Sequence, residues 1–447
     1  MNCIRRLKVV ALVCFVVFTS YYVFSGPYYE STLKSLRKIQ TEHFEAFKND
    51  LGKTFKYKWK SIGSDEKNHK VYSAYFDYRI HVLHRWSNNL IGSVRVFAIL
   101  DFSLSSEPME CSFKYKNGDV ISVVADESQA IEEHWDMDYA SFTISCPIYK
   151  DGHGLPIEVS LQYRDNSMTY LSPTFIPISY PKSLTPKLKP EIALCIGPLQ
   201  YNYAQGLRIV EYFEIYKLLG VTKFYVYYLS SSDEVRKIID YYEKEGLIEI
   251  FDWELNGYHF ENNFRYGGIF SSLNECVYRS RVVDSFKYAA IIDFDEVLMP
   301  FKNNTLTDFI ESVGDHSEYI FSNTFFHKYM KVDDSSTPND AVNKFLYTQS
   351  RIERTQVYIK TSRTKYIVDT EEAIEIGNHH TWRTVSSNTF YVPEDLGLLF
   401  HYRDGLVRNE DIEEVNVDFS ARRFGSKLWK GVDLVCAEIF EDGKCPL

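Results

Sequence analysis

The segment from Tyr288 to Glu296 constrains the fold most, because an apolar run ends there in three carboxylates within four residues. The first five residues are apolar, which is typical of a buried strand of a parallel sheet, and Asp293, Asp295 and Glu296 follow. Ligands of open α/β sheets bind outside the carboxyl ends of the strands, so acids at such an edge are better placed for a metal or substrate than for packing. The segment therefore predicts a site for a divalent cation with a nucleotide diphosphate.

The spacing of Asp293 and Asp295 places both side chains on one side of an extended segment, with Phe294 pointing oppositely into apolar surroundings. Two carboxylates that face the same way form a hard oxygen site. Such a site suits Mn²⁺ or Mg²⁺, with a diphosphate and water completing an octahedron. A solvated acidic turn after a core strand is the alternative interpretation.

The N-terminus predicts a membrane anchor. Arg5, Arg6 and Lys8 precede an apolar stretch, and we assign residues 9–29 to a single transmembrane helix after a cytoplasmic tail over 1–8. A cleaved signal peptide is the alternative. Either version sends the remainder of the chain into the secretory lumen.

Charge and length narrow the class of protein. The 447-residue chain has a net charge of -11, which makes nucleic acid an unsuitable partner, and it is long enough for two domains beyond the anchor. The sequence Asn303-Asn304-Thr305 predicts N-glycosylation at Asn303 in that lumen.

The cysteines predict disulfides. Cys3 and Cys14 fall in or before the anchor, and the remaining six allow fifteen connectivities. Their positions suggest the pairs Cys111 with Cys146, Cys195 with Cys276, and Cys436 with Cys445. None has the close Cys-x-x-Cys spacing of a structural zinc site.

Four segments follow the anchor. Residues 30–64 are polar and resemble a stem, and residues 65–172 alternate in short β-like runs, which predicts a small β-rich accessory domain. Five prolines mark a stiff connector over 173–190. Residues 191–447 then form an α/β domain.

The α/β domain shows strands and helices in alternation, which predicts a doubly wound sheet. Candidate strands lie at 192–196, 224–229 and 247–251. The helix signals are a span over 204–219 that ends at Gly220, and two capping-box pairs, Ser231 with Glu234 and Ser272 with Glu275. No GxxxxGK[ST] motif is present and no GxGxxG motif follows the first strand, so a metal must carry the diphosphate. This is the logic of a glycosyltransferase, in which the cation neutralises the leaving nucleotide diphosphate.

Several segments between about Glu191 and His401 resemble glycosyltransferase family 92, formerly the DUF23 domain, whose nematode members include core-fucose β1,4-galactosyltransferases. The similar segments are 194–199, 211–214 with 219–221, 271–276 with 279–281, 293–296, 365–368, 378–380 and 401–403. The resemblance implies a GT-A-like nucleotide-sugar-binding fold, a UDP-galactose donor, Mn²⁺, transfer with inversion to a glycan acceptor such as core fucose of N-glycans, and a luminal catalytic domain on a single-pass type II Golgi membrane protein.

The resemblance also implies roles for individual residues. Asp295 is expected to bind the metal directly and Asp293 to contact the ribose or the metal through water. His401, which follows the apolar run 398–400, is the expected third ligand, with His379 as the alternative. Lys365 and Arg403 are expected to neutralise phosphate.

Inversion needs a general base on the acceptor hydroxyl. The acids available for this role are Glu296, Glu371, Glu372, Glu375 and Asp404, among which the sequence does not select. The sequence differs from the family at Asp369-Thr370, where the family has an Arg-Pro-like pair. A basic phosphate or acceptor contact is therefore expected to be missing here.

Two other functions fit parts of the sequence. An apolar strand before Asp293 and Asp295 also fits a haloacid dehalogenase phosphatase, but that strand normally opens its domain, and no later GDxxxD segment is present. A membrane-anchored, non-catalytic carbohydrate-binding or degenerate transferase-like protein is the more serious alternative, against which the intact Asp293, Asp295 and His401 argue.

Overall fold

The computed structural model describes residues 38, 51–62, 69–79, 89–104, 107–163, 173–183, 187–255, 264–333, 346–358, 362–404 and 415–447. The predicted tail, the anchor over 9–29 and most of the stem lie outside these residues and stay predictions. Within the described ranges, no helix is both long and apolar enough to cross a membrane.

The N-terminal domain is a sandwich of two antiparallel sheets. Its strands are β1 (Lys60–Ser61), β2 (Lys70–Asp77), β3 (Leu90–Asp101), β4 (Met109–Lys114), β5 (Val120–Val124), β6 (Glu127–Ala130), β7 (Tyr139–Tyr149), β8 (Glu158–Tyr163) and β9 (Ile176–Pro177). The strand orders are β1-β2-β3-β7-β6 and β5-β4-β8-β9. Both sheets contribute to one apolar core, across which the Cys111–Cys146 disulfide joins β4 to β7. A β-rich domain is therefore present, but β1 and β9 extend past the predicted bounds of 65–172, which are too narrow.

The second domain contains a mixed seven-stranded sheet. The strands of this domain are β10 (Lys189–Cys195), β11 (Val221–Tyr228), β12 (Ile248–Asp252), β13 (Phe286–Ile291), β14 (Glu296–Pro300), β15 (Glu318–Phe321), β16 (Asn323–His327), β17 (Glu353–Arg354), β18 (Lys365–Asp369), β19 (Ala373–Ile376), β20 (Thr381–Thr384), β21 (Thr389–Tyr391), β22 (Gly397–Arg403) and β23 (Asn416–Val417). The order of the large sheet is β12-β11-β10-β13-β18-β15-β21. Strands β10 to β13 pair in parallel in the spatial order β12-β11-β10-β13, which is the start of the doubly wound order 3-2-1-4. Strand β18 runs antiparallel to β13 and β15, which makes the sheet mixed.

Six α-helices surround the sheets in the described residues. They are α1 (Gly206–Leu218), α2 (Asp233–Lys244), α3 (Ile269–Arg279), α4 (Leu306–Val313), α5 (Tyr347–Ser350) and α6 (Gly425–Ile439). Helix α1 falls inside its predicted span, and Gly220 adopts a left-handed φ of 91° just after it, as predicted. Both predicted capping boxes are wrong. Ser232, not Ser231, caps α2 by accepting from the Val235 N–H, and α3 begins at Ile269, so that Ser272 and Glu275 are buried inside it.

The two faces of the large sheet pack against different partners, because side chains alternate along each strand. Ile192 and Leu194 of β10 lie in a core with α1, α2 and α6. Ala193 and Cys195 face the opposite core, which contains α3 and aromatic residues of the sandwich. The Cys195–Cys276 disulfide ties β10 to α3, and Cys436–Cys445 ties α6 to the C-terminal segment. All three suggested pairings are thus confirmed.

The contact between the domains is aromatic and buried. The Tyr72 ring of the sandwich packs 4.5 Å from that of Trp253 in the second domain, and Phe97 packs 5.2 Å from Tyr278. Glu275 of α3, completely buried, accepts hydrogen bonds from hydroxyl groups of both domains and pairs with Arg279 of its own helix. The sandwich is therefore fixed to the sheet by a continuous core.

Candidate active site

The acidic segment forms a tight turn at the carboxyl edge of the large sheet. The buried strand β13 ends at Ile291 as predicted, and the Glu296 N–H donates to the Asp293 carbonyl at 3.2 Å, which closes a turn over four residues. The extended geometry predicted for Asp293 and Asp295 is therefore wrong. Phe294 still points into apolar surroundings, where it packs on Tyr212.

Glu296 lies at the centre of the cluster, with its side chain 3% exposed. One of its oxygens accepts from the Asp293 backbone N–H at 3.0 Å and lies 3.6 Å from Lys365 Nζ. Its other oxygen lies 3.3 Å from His401 Nδ1. Burial raises the pKa of Glu296 to about 7, against the lowering effect of the Lys365 charge. Glu296 thus connects both halves of the cluster and is closed to an acceptor hydroxyl.

Lys365 forms an ion pair with Asp293 inside the protein. Its ammonium group is 1% exposed, lies 2.8 Å from Asp293 Oδ2 and donates to Asn378 Oδ1 at 2.7 Å. Burial opposes the charge, but Asp293 and Glu296 raise the pKa of Lys365, so it stays protonated. Lys365 therefore neutralises the acidic turn itself, while 40% of the Asp293 side chain stays open to solvent.

His379 lies beside this lysine with both ring nitrogens engaged. Nδ1 is 3.0 Å from the Thr364 carbonyl, to which it must donate, and Nε2 is 3.3 Å from Asn378 Nδ2. Burial lowers the pKa of His379 to about 4, with the Lys365 charge acting in the same direction. A neutral ring held in this way has no free lone pair for a metal in this geometry.

His401 faces Asp295 across two paired strands. Because β14 and β22 are antiparallel with Glu296 opposite His401, the histidine reaches the turn, where its Nε2 lies 3.2 Å from Asp295 Oδ2. Burial disfavours the His401 imidazolium, but the negative charge of Asp295 raises the pKa of His401. Burial favours the neutral carboxyl of Asp295, but His401 lowers the pKa of Asp295. The backbone also connects them, since the Tyr402 N–H donates to the Asp295 carbonyl.

The Asp295 and His401 pair fits a divalent cation. In an octahedral site with ligand distances of about 2.0–2.1 Å, adjacent ligand atoms lie about 3 Å apart, close to the observed 3.2 Å. Glu296 lies 3.3 Å from His401 Nδ1 without hydrogen-bond geometry, and a carboxylate in this position could orient a metal-binding histidine. Within the described part of the chain, no group of three His, Cys, Asp or Glu side chains is gathered for a metal, so further ligands would come from substrate and water.

Arg403 lies on the same sheet face as His401. Strands β16 and β22 are parallel, with Phe325 opposite His401 and His327 opposite Arg403. Side chains two residues apart on a strand lie on the same face of the sheet. Arg403 therefore lies on the face that carries His401 and Glu296, with His327 beside it on the neighbouring strand. The Arg403 guanidinium lies 5.6 Å from the Phe325 ring centroid. This geometry leaves Arg403 beside the cluster as a cation that could meet a phosphate.

A second basic group, missed from the sequence, borders the other side of Asp295. The guanidinium groups of Arg208 and Arg351 lie 3.4 and 3.3 Å from the centroid of the Tyr347 ring. Arg208, Tyr402 and Asp295 line one small cavity. The sequence feature that could have indicated Arg208 is its position in the first turn of α1. Helix N-termini at the carboxyl edge of such a sheet are common phosphate-binding positions.

The other base candidates occupy different environments. Asp404 accepts from Arg351 Nη2 at 2.8 Å and from the Tyr347 hydroxyl, and its side chain is 32% exposed. Burial would raise the pKa of Asp404, but Arg351 lowers it, so the carboxylate stays ionised. Glu375 lies 3.8 Å from Arg383 in a buried group that includes Glu127 of the sandwich. Glu371 accepts from the Tyr78 hydroxyl of the sandwich.

The Asp369-Thr370 departure lies at the far end of β13. Asp369 is paired with Tyr288, whereas Tyr366 is paired with Ile291 next to the acidic turn. At about 3.3 Å per residue, Asp369 is roughly 16 Å of strand away from Asp293. This distance places the departure away from the acidic turn, and the expected loss of a phosphate or acceptor contact stays a prediction. At the predicted glycosylation site, Asn303 is half-buried and Thr305 caps α4.

Comparisons with known proteins extend the observations on this site. Residues 190–431 match the sequence profile described as glycosyltransferase family 92. The "Beta-1,4-galactosyltransferase galt-1" of Caenorhabditis elegans is 25% identical over 386 residues, which cover 84% of this chain and 81% of that protein. Two solved structures of S. aureus TarS 1-349, one in complex with UDP, align with 56% of this chain and 66% of theirs, just under two thirds, at 13% and 12% identity. Their TM-scores of 0.24 and 0.21 are too low to carry an argument.

Proposed function

The chain belongs to glycosyltransferase family 92, and we propose that it transfers a hexose, galactose from UDP-galactose, to a glycan acceptor such as core fucose of N-glycans, with inversion. The observation that carries this proposal is the paired arrangement of Asp295 with His401 and of Asp293 with Lys365 at the carboxyl edge of the parallel strands. The galactose donor is suggested by the galactosyltransferase relative. A GT-A-like arrangement, a single-pass membrane anchor and a Golgi location belong to the same proposal.

Asp295 and His401 would hold Mn²⁺, or Mg²⁺ in its place, with Asp293 completing the site through water or binding the ribose. When bound, the cation supplies charge neutralisation for the departing UDP. Lys365 holds Asp293 in place by an ion pair, and Glu296 closes the turn and places a carboxylate beside the His401 ring. Arg208 and Arg403 stand on two sides of this group as cations for the diphosphate oxygens.

A base must remove the proton of the acceptor hydroxyl as the sugar is transferred. Among Glu296, Glu375 and Asp404, Asp404 has the carboxylate most open to solvent, with 32% of its side chain exposed compared with 3% and 8%. Asp404 also follows His401 by three residues at the end of β22. We assign it the role of general base, held in position by Arg351.

The test is UDP release by the purified full-length chain with a panel of UDP-sugars, with and without Mn²⁺, in the presence of a fucosylated N-glycan. Asp295→Ala serves as the inactive control. Metal-dependent turnover of UDP-galactose that the variant lacks is the expected result. Turnover of another sugar would replace the donor, and the absence of both turnover and metal-dependent UDP binding would favour a non-catalytic carbohydrate-binding protein.

A further inference from the structure

Two loops, one from each domain, meet in an exposed aromatic group. Trp135 lies between β6 and β7 of the sandwich, and Arg265 and Tyr266 lie just before α3. The Arg265 guanidinium is 4.4 Å from the Trp135 ring centroid and 4.0 Å from that of Tyr266. Both rings face solvent, with 65% and 47% of their residues exposed. We refer to these three residues as the aromatic platform.

The platform lies at the same sheet edge as the acidic turn. Helix α3 follows β12 in a parallel βαβ unit, so its beginning lies at the carboxyl edge of the strands. Two residues before Trp135, the Glu133 carboxylate accepts from the Asn378 N–H at 3.3 Å. The Asn378 side chain in turn accepts from Lys365, the partner of Asp293. A short chain of hydrogen bonds therefore joins the platform loop to the proposed donor site.

Both loops hold unusual backbone conformations. Glu133, Trp135 and Asp136 have φ values of 64°, 57° and 52°, and Tyr266 has a φ of 40°. Such angles are unfavourable for side chains other than glycine, and they persist where the surrounding structure holds them for a functional purpose. The adjacent Gly267 has a φ of 61°, so the backbone turns sharply beside Tyr266. The contacts of Arg265 with both rings then hold the two loops together.

We propose that Trp135, Arg265 and Tyr266 form the docking surface for the acceptor glycan, an inference that rests on the proposed function. Aromatic faces carry negative charge, so they attract the slightly positive C–H groups on one face of a pyranose ring. Arg265 contacts both rings by cation–π interaction, and its guanidinium has five N–H groups, the kind of donor that binds sugar hydroxyls. Carboxylates on the same loop, Glu133 and Asp136, can accept from those hydroxyls.

This assignment gives the sandwich a role. The second domain alone supplies Arg265 and Tyr266, but the largest ring of the platform and the link from Glu133 to Asn378 come from the sandwich. The acceptor would then be recognised at the domain junction, and the sugar donor by the second domain alone.

The test compares Trp135→Ala and Tyr266→Ala with the wild-type full-length chain. Tyr391→Ala is the matched control, because Tyr391 is 48% exposed, similar to Tyr266, but lies on β21, the outermost strand at the opposite end of the sheet from β12. Three quantities are measured for each protein: binding of a fucosylated N-glycan and of its defucosylated form without donor, UDP release from UDP-galactose without acceptor, and the acceptor KM. Thermal melting checks that each variant is folded.

We expect each platform variant to weaken glycan binding and raise the acceptor KM about tenfold, the effect of losing one aromatic stacking contact. Acceptor-independent UDP release should fall far less, and Tyr391→Ala should match the wild type. Trp135→Phe should restore most of the affinity. Equal acceptor KM values in all variants, or a wild-type chain that releases UDP but binds neither glycan, would overturn the platform. Glycan binding that depends on Trp135 in a chain without UDP release would instead refute the proposed transferase while sustaining the platform.

Discussion

Two buried groups of charges in this protein contain the same kinds of residues but differ in their access to solvent. At the domain junction, Asp77 of the sandwich pairs with Arg79 at 2.8 Å, and Arg281 lies 3.5 Å away, all with side chains at most 4% exposed. At the sheet edge, Lys365 is equally buried, but its partner Asp293 is 40% exposed and Asp295 is 46% exposed. The first group is closed and the second is open on one side. Access to solvent, more than the presence of paired charges, therefore distinguishes a binding site from an internal support.

Removing the carboxylate from the closed group should have the largest effect. Asp77→Ala removes the carboxylate nearest to Arg79 and Arg281, and breaking a buried ion pair costs about 3–5 kcal/mol. Chemical denaturation should show a loss of this size. The control is Asp395→Ala, which breaks an exposed pair with Lys302 and should leave the free energy of unfolding close to that of the wild type. Equal effects of the two variants would contradict the distinction between closed and open groups.

Removing a carboxylate from the open group should affect activity instead. Asp295→Asn keeps the shape of the side chain and lies at a half-exposed position, so its stability should stay near that of the wild type. Loss of a charged contact to the reacting groups should lower transfer at least about 100-fold. Steady-state kinetics and thermal melting of the same preparation measure both quantities. A variant that unfolds but retains activity in its folded fraction would place Asp295 among the structural residues.

Glu296 combines features of both groups, because its side chain is buried but contacts the exposed residue Asp293 and lies beside His401. Glu296→Gln can still accept from the Asp293 N–H but loses the charge beside His401. Supporting carboxylates of metal ligands contribute about 10- to 100-fold in metal affinity. We expect a loss of this size in the concentration of Mn²⁺ that gives half-maximal activity, measured by metal titration. An unchanged Mn²⁺ dependence would mean that His401 needs no orientation by Glu296.

Asp369, at the other end of β13, is a buried carboxylate outside both groups, and its effect depends on pH. Burial raises the pKa of Asp369 to about 6, above its value in the unfolded chain, so the folded state holds the proton more tightly. Its contribution to stability is present below about pH 4 and is lost as the pH rises to about 6. Asp369→Asn should therefore unfold like the wild type at pH 4 and be more stable at pH 7, by up to about 3 kcal/mol for a difference of about two pKa units. Parallel unfolding curves at both pH values would refute this.

The contrast between local and distant contacts explains what the sequence could predict. The buried strand before Asp293, the alternation of β10 to β13 with α1 to α3 and the three disulfides follow from patterns that lie close together or have few alternatives. The turn at Asp293 depends on Glu296 reaching back to a backbone N–H, which no alternation rule contains. The error at Ser231 arises because Ser232 stands beside it, and the error at Ser272 arises because α3 begins after Gly268, without a side-chain cap.

The remaining features bring together residues far apart in the chain. Arg208 and Arg351 meet on Tyr347, and Glu133 meets Asn378 across 245 positions. Such contacts are set by the packing of whole domains, so the basic group beside Asp295 and the aromatic platform had no local signal. Position in the fold, at the carboxyl edge of the sheet, is what they share with the acidic turn.

The most direct test of the central claim is calorimetric titration of UDP into the full-length chain with and without Mn²⁺, for the wild type, His401→Gln and His379→Gln. If the open charge group is the cation and nucleotide site, Mn²⁺ should strengthen UDP binding in the wild type, and His401→Gln should lose most of that gain. His379→Gln should lose much less, because both ring nitrogens of His379 are engaged within the protein. UDP binding that is indifferent to Mn²⁺, or a greater loss from His379→Gln than from His401→Gln, would contradict the account.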